Sequence, residues 1–222
     1  MKVRYKAPAS CGEFIQGFID GSEKLISLPI DIYSTITFEK GLGNFENYKD
    51  TKLGNALLAF MKLKEIPAKE LVELNIWVES DIPIAKGMAS STADILGGIS
   101  CAVDYFSKDI TPKEFGELCC SIEPTDSTIF EKLTLFDHIH GEIVKEYDKD
   151  LNMMIQILEM EDSLDTLSFR KRECNRKKYL KQSVIEKALS KFEEGLVKDD
   201  FSLIGEACTI SSIANQEFLY KQ

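Results

Sequence analysis

No apolar run in this chain approaches the roughly 20 residues that a membrane-spanning helix needs, so a helical membrane protein is excluded. Histidine is scarce, with two in 222 residues, at His138 and His140. No spacing of Cys and His completes a zinc pattern. The six cysteines, Cys11, Cys101, Cys119, Cys120, Cys174 and Cys208, include no C-x-x-C pair. The N-terminus runs from Met1 straight into a strand pattern and lacks a signal-peptide core, which predicts a cytoplasmic protein with reduced, mostly buried thiols. A cysteine nucleophile is disfavoured, because neither histidine falls in a recognisable partner motif. Basic charge is also in deficit, 27 Lys and Arg against 37 Asp and Glu, for a net charge of −10. That balance argues against nucleic acid and anionic membranes as partners. It leaves a phosphate ligand open, since local groups decide binding at short range. The cluster from Arg170 to Lys178 reads first as a solvated loop or helix start.

What is present is an ordinary globular composition, 44% hydrophobic and 29% charged, with enough chain for a sizeable core. The most informative stretch is Pro83-Ile84-Ala85-Lys86-Gly87-Met88-Ala89-Ser90-Ser91-Thr92-Ala93-Asp94. It lies between a strand-like run and a helix-like run from Ala93 to Phe106. Helix starts after small-residue turns bind phosphate, because main-chain N–H groups point outward and the helix dipole adds positive potential. Lys86 adds a mobile cation. Ser90, Ser91 and Thr92 add hydroxyls that either cap the helix or ligate Mg2+. The stretch is not a Walker A loop, since Lys86 precedes the glycine, and G-x-G-x-x-G is missing. On physics alone, phosphate binding and plain capping stand level.

Elsewhere, Val3 to Ala7, Leu25 to Pro29, Ile32 to Phe38, Leu71 to Val78, Leu133 to Phe136 and Met153 to Leu158 read as strands. Gly12, Gly17 and Gly21 read as turns or close approaches, and Pro29 as a strand end or bulge. His138-Ile139-His140 would put two imidazoles on one strand face, and a metal pair there lacks an obvious third ligand. Leu53 to Lys64 has helical spacing. Thr111-Pro112-Lys113-Glu114 reads as a capped helix start, running to about Ile122. Two further helices are expected near Lys178 to Val197 and Asp200 to Phe218. The order of elements is α+β in two layers.

The 83–93 stretch resembles the second motif of the GHMP kinases, P-x-x-x-G-[LM]-x-S-S-[AST]-A. Pro8 to Glu13, Gly21 to Leu25, Glu123 to Ser127, Leu133 to His138 and Asp165 to Phe169 extend the resemblance over most of the chain. They draw it toward the L-threonine kinases of adenosylcobalamin synthesis. The resemblance implies a GHMP fold, with an N-terminal lobe containing a left-handed β-α-β unit and a ferredoxin-like C-terminal lobe. On this reading residues 1–140 form the ATP-binding lobe and 141–222 a partial second lobe. It implies ATP and Mg2+ as cofactors and a small hydroxy amino acid as acceptor, L-threonine becoming O-phospho-L-threonine for the aminopropanol arm of cobalamin. A homodimer is left open.

Residue by residue, the resemblance assigns the phosphates to Pro83 through Ala93, with Lys86 also counted as a catalytic candidate. It assigns Mg2+ to Ser91 with either Glu123 or Glu117, and acceptor activation to Asp126. Thr125, Asp126 and Ser127 also favour helix starts, so a capping role competes; homoserine kinases do without a carboxylate base. Ser10, Glu13, Gln16 and Asp31 are the acceptor-side candidates. The third motif of the superfamily, a late glycine-rich loop, is missing before Gln222, so the chain reads as truncated at the C-terminus. Alternatives are a homoserine-kinase-like enzyme, a nucleotide-binding module without activity, and a purely structural role.

Overall fold

The alternating pattern that begins at Lys2 extends much further than five residues. In the computed structural model, which describes residues 1–158 and 181–216, it forms β1 (Lys2–Ile19). β1 turns at Asp20 and Gly21 into an antiparallel partner, β2 (Ser22–Lys40). Gly12 and Gly17 therefore lie inside a strand, and only Gly21 makes a turn. Gly17 is needed for packing, since a Cβ there would meet Ile185 at 2.8 Å. The bulge expected near Pro29 is present. Register jumps from Pro8 opposite Tyr33 to Ala9 opposite Ile30, leaving Asp31 and Ile32 unpaired.

β2 is the spine of a five-stranded sheet. β1 runs along one edge. The other edge is shared by β3 (Leu74–Ser80), at Ser34 to Lys40, and β4 (Leu133–Asp137), where Phe136 meets Leu25. β5 (Glu142–Tyr147) then pairs with β4. All these pairings are antiparallel, and the class is α+β as expected.

Each face carries its own core. Leu135 and Phe136, adjacent on β4, enter different clusters because successive strand side chains point to opposite faces. On one face, Ile36, Phe38 and Ile76 pack against helices α1 (Lys52–Leu63) and α2 (Ser90–Tyr105) through Leu57, Phe60, Ile95 and Ile99. Helix α3 (Pro112–Ile122) adds Phe115 and Leu118. On the other face, Phe14, Ile15 and Ile26 meet α4 (Gln182–Lys198) and α5 (Phe201–Gln216) through Ile185, Phe192, Ile204 and Ala207. Each of these side chains except that of Ala207 contributes about 1.5–3 kcal/mol on burial.

The start of α3 follows its sequence signal. Thr111 Oγ1 accepts from Glu114 N–H at 3.2 Å, and Glu114 accepts from Thr111 N–H at 2.8 Å. Thr111→Ala should cost about 1 kcal/mol and lower the melting temperature by about 2–4 °C. An unchanged circular-dichroism melt would show that this cap is idle.

Several expectations are corrected. Leu71 to Glu73 end a 3-10 segment (Ala68–Glu73), because the chain must first turn before β3 can pair with β2. Met153 to Leu158 form no strand. His138 and His140 lie in the turn between β4 and β5, not on a strand face. His138 Nε2 stands 3.7 Å from Glu23, whereas His140 Nδ1 stands 3.0 Å from Asp137. The segment Asp165 to Phe169, the basic cluster, Cys174 and the outer ends of the last two expected helices, at 178–180 and 217–218, lie outside the described residues. Among the described residues, no helix is long and apolar enough to cross a membrane.

Candidate functional site

β3 ends at Ser80 and α2 begins at Ser90, and the loop between them has an unusual backbone. Ala85, Gly87 and Ala89 have φ of +59, +71 and +56. Left-handed alanines are disfavoured, and such strain collects at functional sites. Left-handed residues within a turn swing successive N–H groups toward one side, the geometry of an anion-binding nest. At Gly87 a Cβ would meet nothing within 4 Å, so space stands open beside the main chain.

The helix start differs from the capping reading. The N-cap is Ala89, which has no side-chain cap bond, so the hydroxyls of Ser90, Ser91 and Thr92 are not used as its caps. The helical ladder opens with Ala93 N–H to Ala89 C=O at 2.9 Å. The amide of Ala93, expected among the phosphate contacts, is thus already committed, and its side chain is in the core. The N–H groups of residues 90–92 lie ahead of that ladder, where a helix leaves its donors unsatisfied. Of the remaining loop residues, Pro83 is half-buried and Ile84 is exposed. Lys86 is half-buried, while Met88 is buried and its C=O accepts from Ser10 N–H at 3.3 Å.

The hydroxyls point instead at carboxylates. Ser91 Oγ donates to Glu123 Oε1 at 2.5 Å. Lys52 Nζ, from the first residue of α1, pairs with Glu123 Oε2 and lies 3.4 Å from Ser91 Oγ. One position along, Thr92 Oγ1 lies 3.4 Å from Asp126 Oδ2, and Ser27 Oγ donates to Asp126 Oδ1 at 3.2 Å. Asp126 precedes a 3-10 turn (Ser127–Ile129) but makes no side-chain cap there, so the capping alternative for this residue is not what the structure shows. Two carboxylates are therefore held at the start of α2 by consecutive hydroxyls. Ser27 and Ser127 fix this end of the site reciprocally: Ser27 N–H donates to Ser127 Oγ at 2.8 Å, and Ser127 N–H to Ser27 Oγ at 2.9 Å. The same two serines line a cavity of about 360 Å³ with Pro8, Phe14, Leu28 and Phe130. No residue of the 83–93 loop lines that cavity.

The other candidates divide. Glu117 makes no contact with Ser91; it is exposed on the outer side of α3, where it faces Lys113 at 3.7 Å. Ser10 is buried against the loop, with its hydroxyl donating to Gly12 C=O at 3.0 Å. Glu13 stands opposite Ser27 in the β1–β2 register. Gln16 uses its main chain to dock α5: its N–H donates to Ser211 Oγ at 3.0 Å, and its C=O accepts from Asn215 Nδ2 at 2.7 Å. That is a structural role, away from the carboxylates. Asp31 is exposed in the bulge of β2.

Two polar residues at the site, Ser27 and Lys52, carry no label in a single sequence, and Asp94 closes the informative stretch with no role assigned to it. Ser27 has no signal in its spacing. Lys52 offers a faint one, since a lysine in the first turn of a helix opposes the dipole. Asp94, one turn into α2, accepts from Ser34 Oγ at 2.6 Å. Burial raises its pKa, against the lowering effect of that hydroxyl. The thiols are quiet. Burial pushes Cys101 up to about 12, and burial followed by the Glu13 carboxylate raises Cys11. Neither is a ready thiolate.

Ser91 and Glu123 are hard oxygen donors of the kind Mg2+ selects, and a cationic ammonium already lies against both. The residues therefore fit a magnesium site. Among the described residues no three of His, Cys, Asp and Glu group as a metal site. Further ligands would be phosphate oxygens and water, which is how Mg2+ is usually held.

Residues 53–131 match the family described as GHMP kinases N terminal domain. The chain is 36% identical over 217 residues to an L-threonine kinase of Citrobacter freundii, covering 97% of this chain and 74% of that protein. It is 37% identical over 220 residues to an L-threonine kinase of Salmonella typhimurium, covering 97% and 71%. Among solved structures, a homoserine kinase from Cytophaga hutchinsonii superposes with a TM-score of 0.64 over 93% of this chain and 71% of that one. At 13% identity that likeness concerns the fold.

Proposed function

Because the chain belongs to the GHMP kinase family and is a small-molecule kinase, we propose that it transfers the γ-phosphoryl group of ATP to the side-chain hydroxyl of L-threonine. The product would be O-phospho-L-threonine, for the aminopropanol arm of cobalamin. The observation that carries this reading is the pair of carboxylates, Glu123 and Asp126, held by Ser91 and Thr92 at the mouth of a nest-shaped loop. The two L-threonine kinases, similar over nearly the whole chain, support the choice of acceptor.

Phosphoryl transfer needs the phosphates held, their charge neutralised and the acceptor hydroxyl aligned. In this proposal the N–H groups of residues 86–92 and the dipole of α2 hold the triphosphate, and Lys86 reaches over it. Ser91 and Glu123 would hold Mg2+, which neutralises charge as it develops on the phosphate oxygens. Asp126 accepts the proton of the threonine hydroxyl, with Ser27 and Thr92 orienting its carboxylate. Ser10 and Glu13 border the acceptor, which approaches from the side where Ser27 and Ser127 open on the cavity. Glu117, Gln16 and Asp31 have no part in it. The division into 1–140 and 141–222 belongs to the proposal too, with β5 crossing it by pairing with β4. So do a cytoplasmic location and a homodimer.

ADP release should depend on threonine and exceed the rates with serine, homoserine and mevalonate in a coupled assay. Mg-ATP at about 100 times its Kd should add about 2.7 kcal/mol of stability, seen as a raised melting temperature. Equal turnover with homoserine would move the acceptor assignment. Stabilisation without turnover of any hydroxyl acceptor would leave a nucleotide-binding module, and an unmoved melt would remove nucleotide binding altogether.

A further inference from the structure

We propose that Lys52 is a resident counter-cation, holding the divalent-ion position between Ser91 and Glu123 until the metal–nucleotide complex displaces it. This inference rests on the reading of Ser91 and Glu123 as the ion's protein ligands. Three observations lead to it. The ammonium pairs with Glu123 Oε2 while lying 3.4 Å from Ser91 Oγ, so it faces the same two side chains a metal would use. Its location has no rationale in the helix. Lys52 is the first residue of α1, where a positive charge opposes the dipole, and neither acid nor base otherwise occupies that first turn's acidic niche. The Lys52 side chain is also 40% exposed, so its ammonium has room to swing aside into solvent when the ion arrives.

The arrangement has a chemical consequence. Glu123 is largely shielded, with 13% of its side chain exposed, and a partly buried carboxylate wants a cation. Lys52 supplies one while the ion is absent. A free divalent ion must therefore displace an attached charge, for only two protein oxygens in return. A metal that arrives already bound to a triphosphate brings its remaining ligands with it, and phosphate oxygens in the loop give the displaced ammonium new partners. Lys52 thus suppresses binding of the bare ion and couples metal entry to the nucleotide. It acts through Glu123 and is a positioning residue.

The test is Mn2+ binding to the nucleotide-free protein, followed by water-proton relaxation. Lys52→Met should bind Mn2+ at least tenfold more tightly than the wild type. Lys52→Arg, which keeps the charge, should stay within about threefold of wild type, and Lys52→Met/Glu123→Gln should lose the gain. Far-UV circular dichroism checks that each variant is folded; Lys52→Gln gives a second neutral replacement if Lys52→Met is not. Equal Mn2+ affinity in wild type and both neutral variants would overturn the role of Lys52. If Glu123→Gln still weakened Mn2+ binding in that case, the metal site itself would stand. If Glu123→Gln also had no effect, the ion would bind elsewhere and the underlying reading would fail with it.

Discussion

Asp126→Asn should lower the rate of phosphoryl transfer by about 10²–10⁴-fold, the usual contribution of a positioned general base. The replacement is close to isosteric and can keep contacts with Ser27 and Thr92, so the fold and the affinity for ATP should change little. The loss should appear in kcat, with the KM for ATP unmoved, because the side chain acts on the hydroxyl proton as it leaves. A second measurement separates a base from a mere orienting group. A solvent deuterium isotope effect on kcat, from the proton in flight, should be present in the wild type and vanish in the variant. A rate within tenfold of wild type would show that the acceptor proton leaves by another route.

Glu123→Gln should be nearly as damaging, by a different route. It removes the one carboxylate beside Ser91 and leaves the ammonium of Lys52 without its partner. Losing even an outer partner of a metal costs roughly 10–100-fold in affinity or activity, so loss of a direct ligand should reach at least 100-fold. The Mg2+ concentration needed for half-maximal rate should rise, and high Mg2+ should recover part of the activity. Asp126→Asn should show no such recovery. Glu117→Gln should leave both the rate and the Mg2+ requirement unchanged, because Glu117 lies on the exposed side of α3. An undisturbed Mg2+ requirement in Glu123→Gln would remove it from the ion site.

Local chemistry was legible in the sequence where one short segment decided its own conformation. Thr111 through Glu114 announce a helix start because the two groups that satisfy each other are three residues apart. The helix expected from Ala93 to Phe106 was equally plain: α2 runs through most of it, with Ile95, Ile99 and Ala102 buried and Val103 half-buried. The 83–93 loop could be located but not judged, since Ser-Ser-Thr serves a cap as well as a ligand. The structure sets the cap aside, because Ala89 takes the N-cap position and leaves the hydroxyls to reach Glu123 and Asp126, more than 30 residues away. The choice between Glu123 and Glu117 had the same character. Both stand at or near α3, and only the packing of α3 against α1 and α2 puts one of them beside Ser91. Of the two readings left open for Gly12 and Gly17, the turn fails at both, since Gly12 falls at a register shift inside β1 and Gly17 is a close approach to Ile185. The expected strand at Met153 to Leu158 had an apolar pattern, yet among the described residues it pairs with no strand of the sheet. Lys52 was invisible as a site residue because its partner lies 71 positions along the chain.

The reciprocal bonds between Ser27 and Ser127 join segments separated by 100 residues. Closing so long a loop costs chain entropy before either bond can repay it. During refolding, the β1–β2 hairpin and the individual helices can form from near neighbours, whereas this clasp must wait for the sheet to bring β2 and the approach to β4 together. Asp126 sits directly beside the clasp. Phosphoryl transfer should accordingly be among the last properties a refolding chain recovers, later than its helical signal.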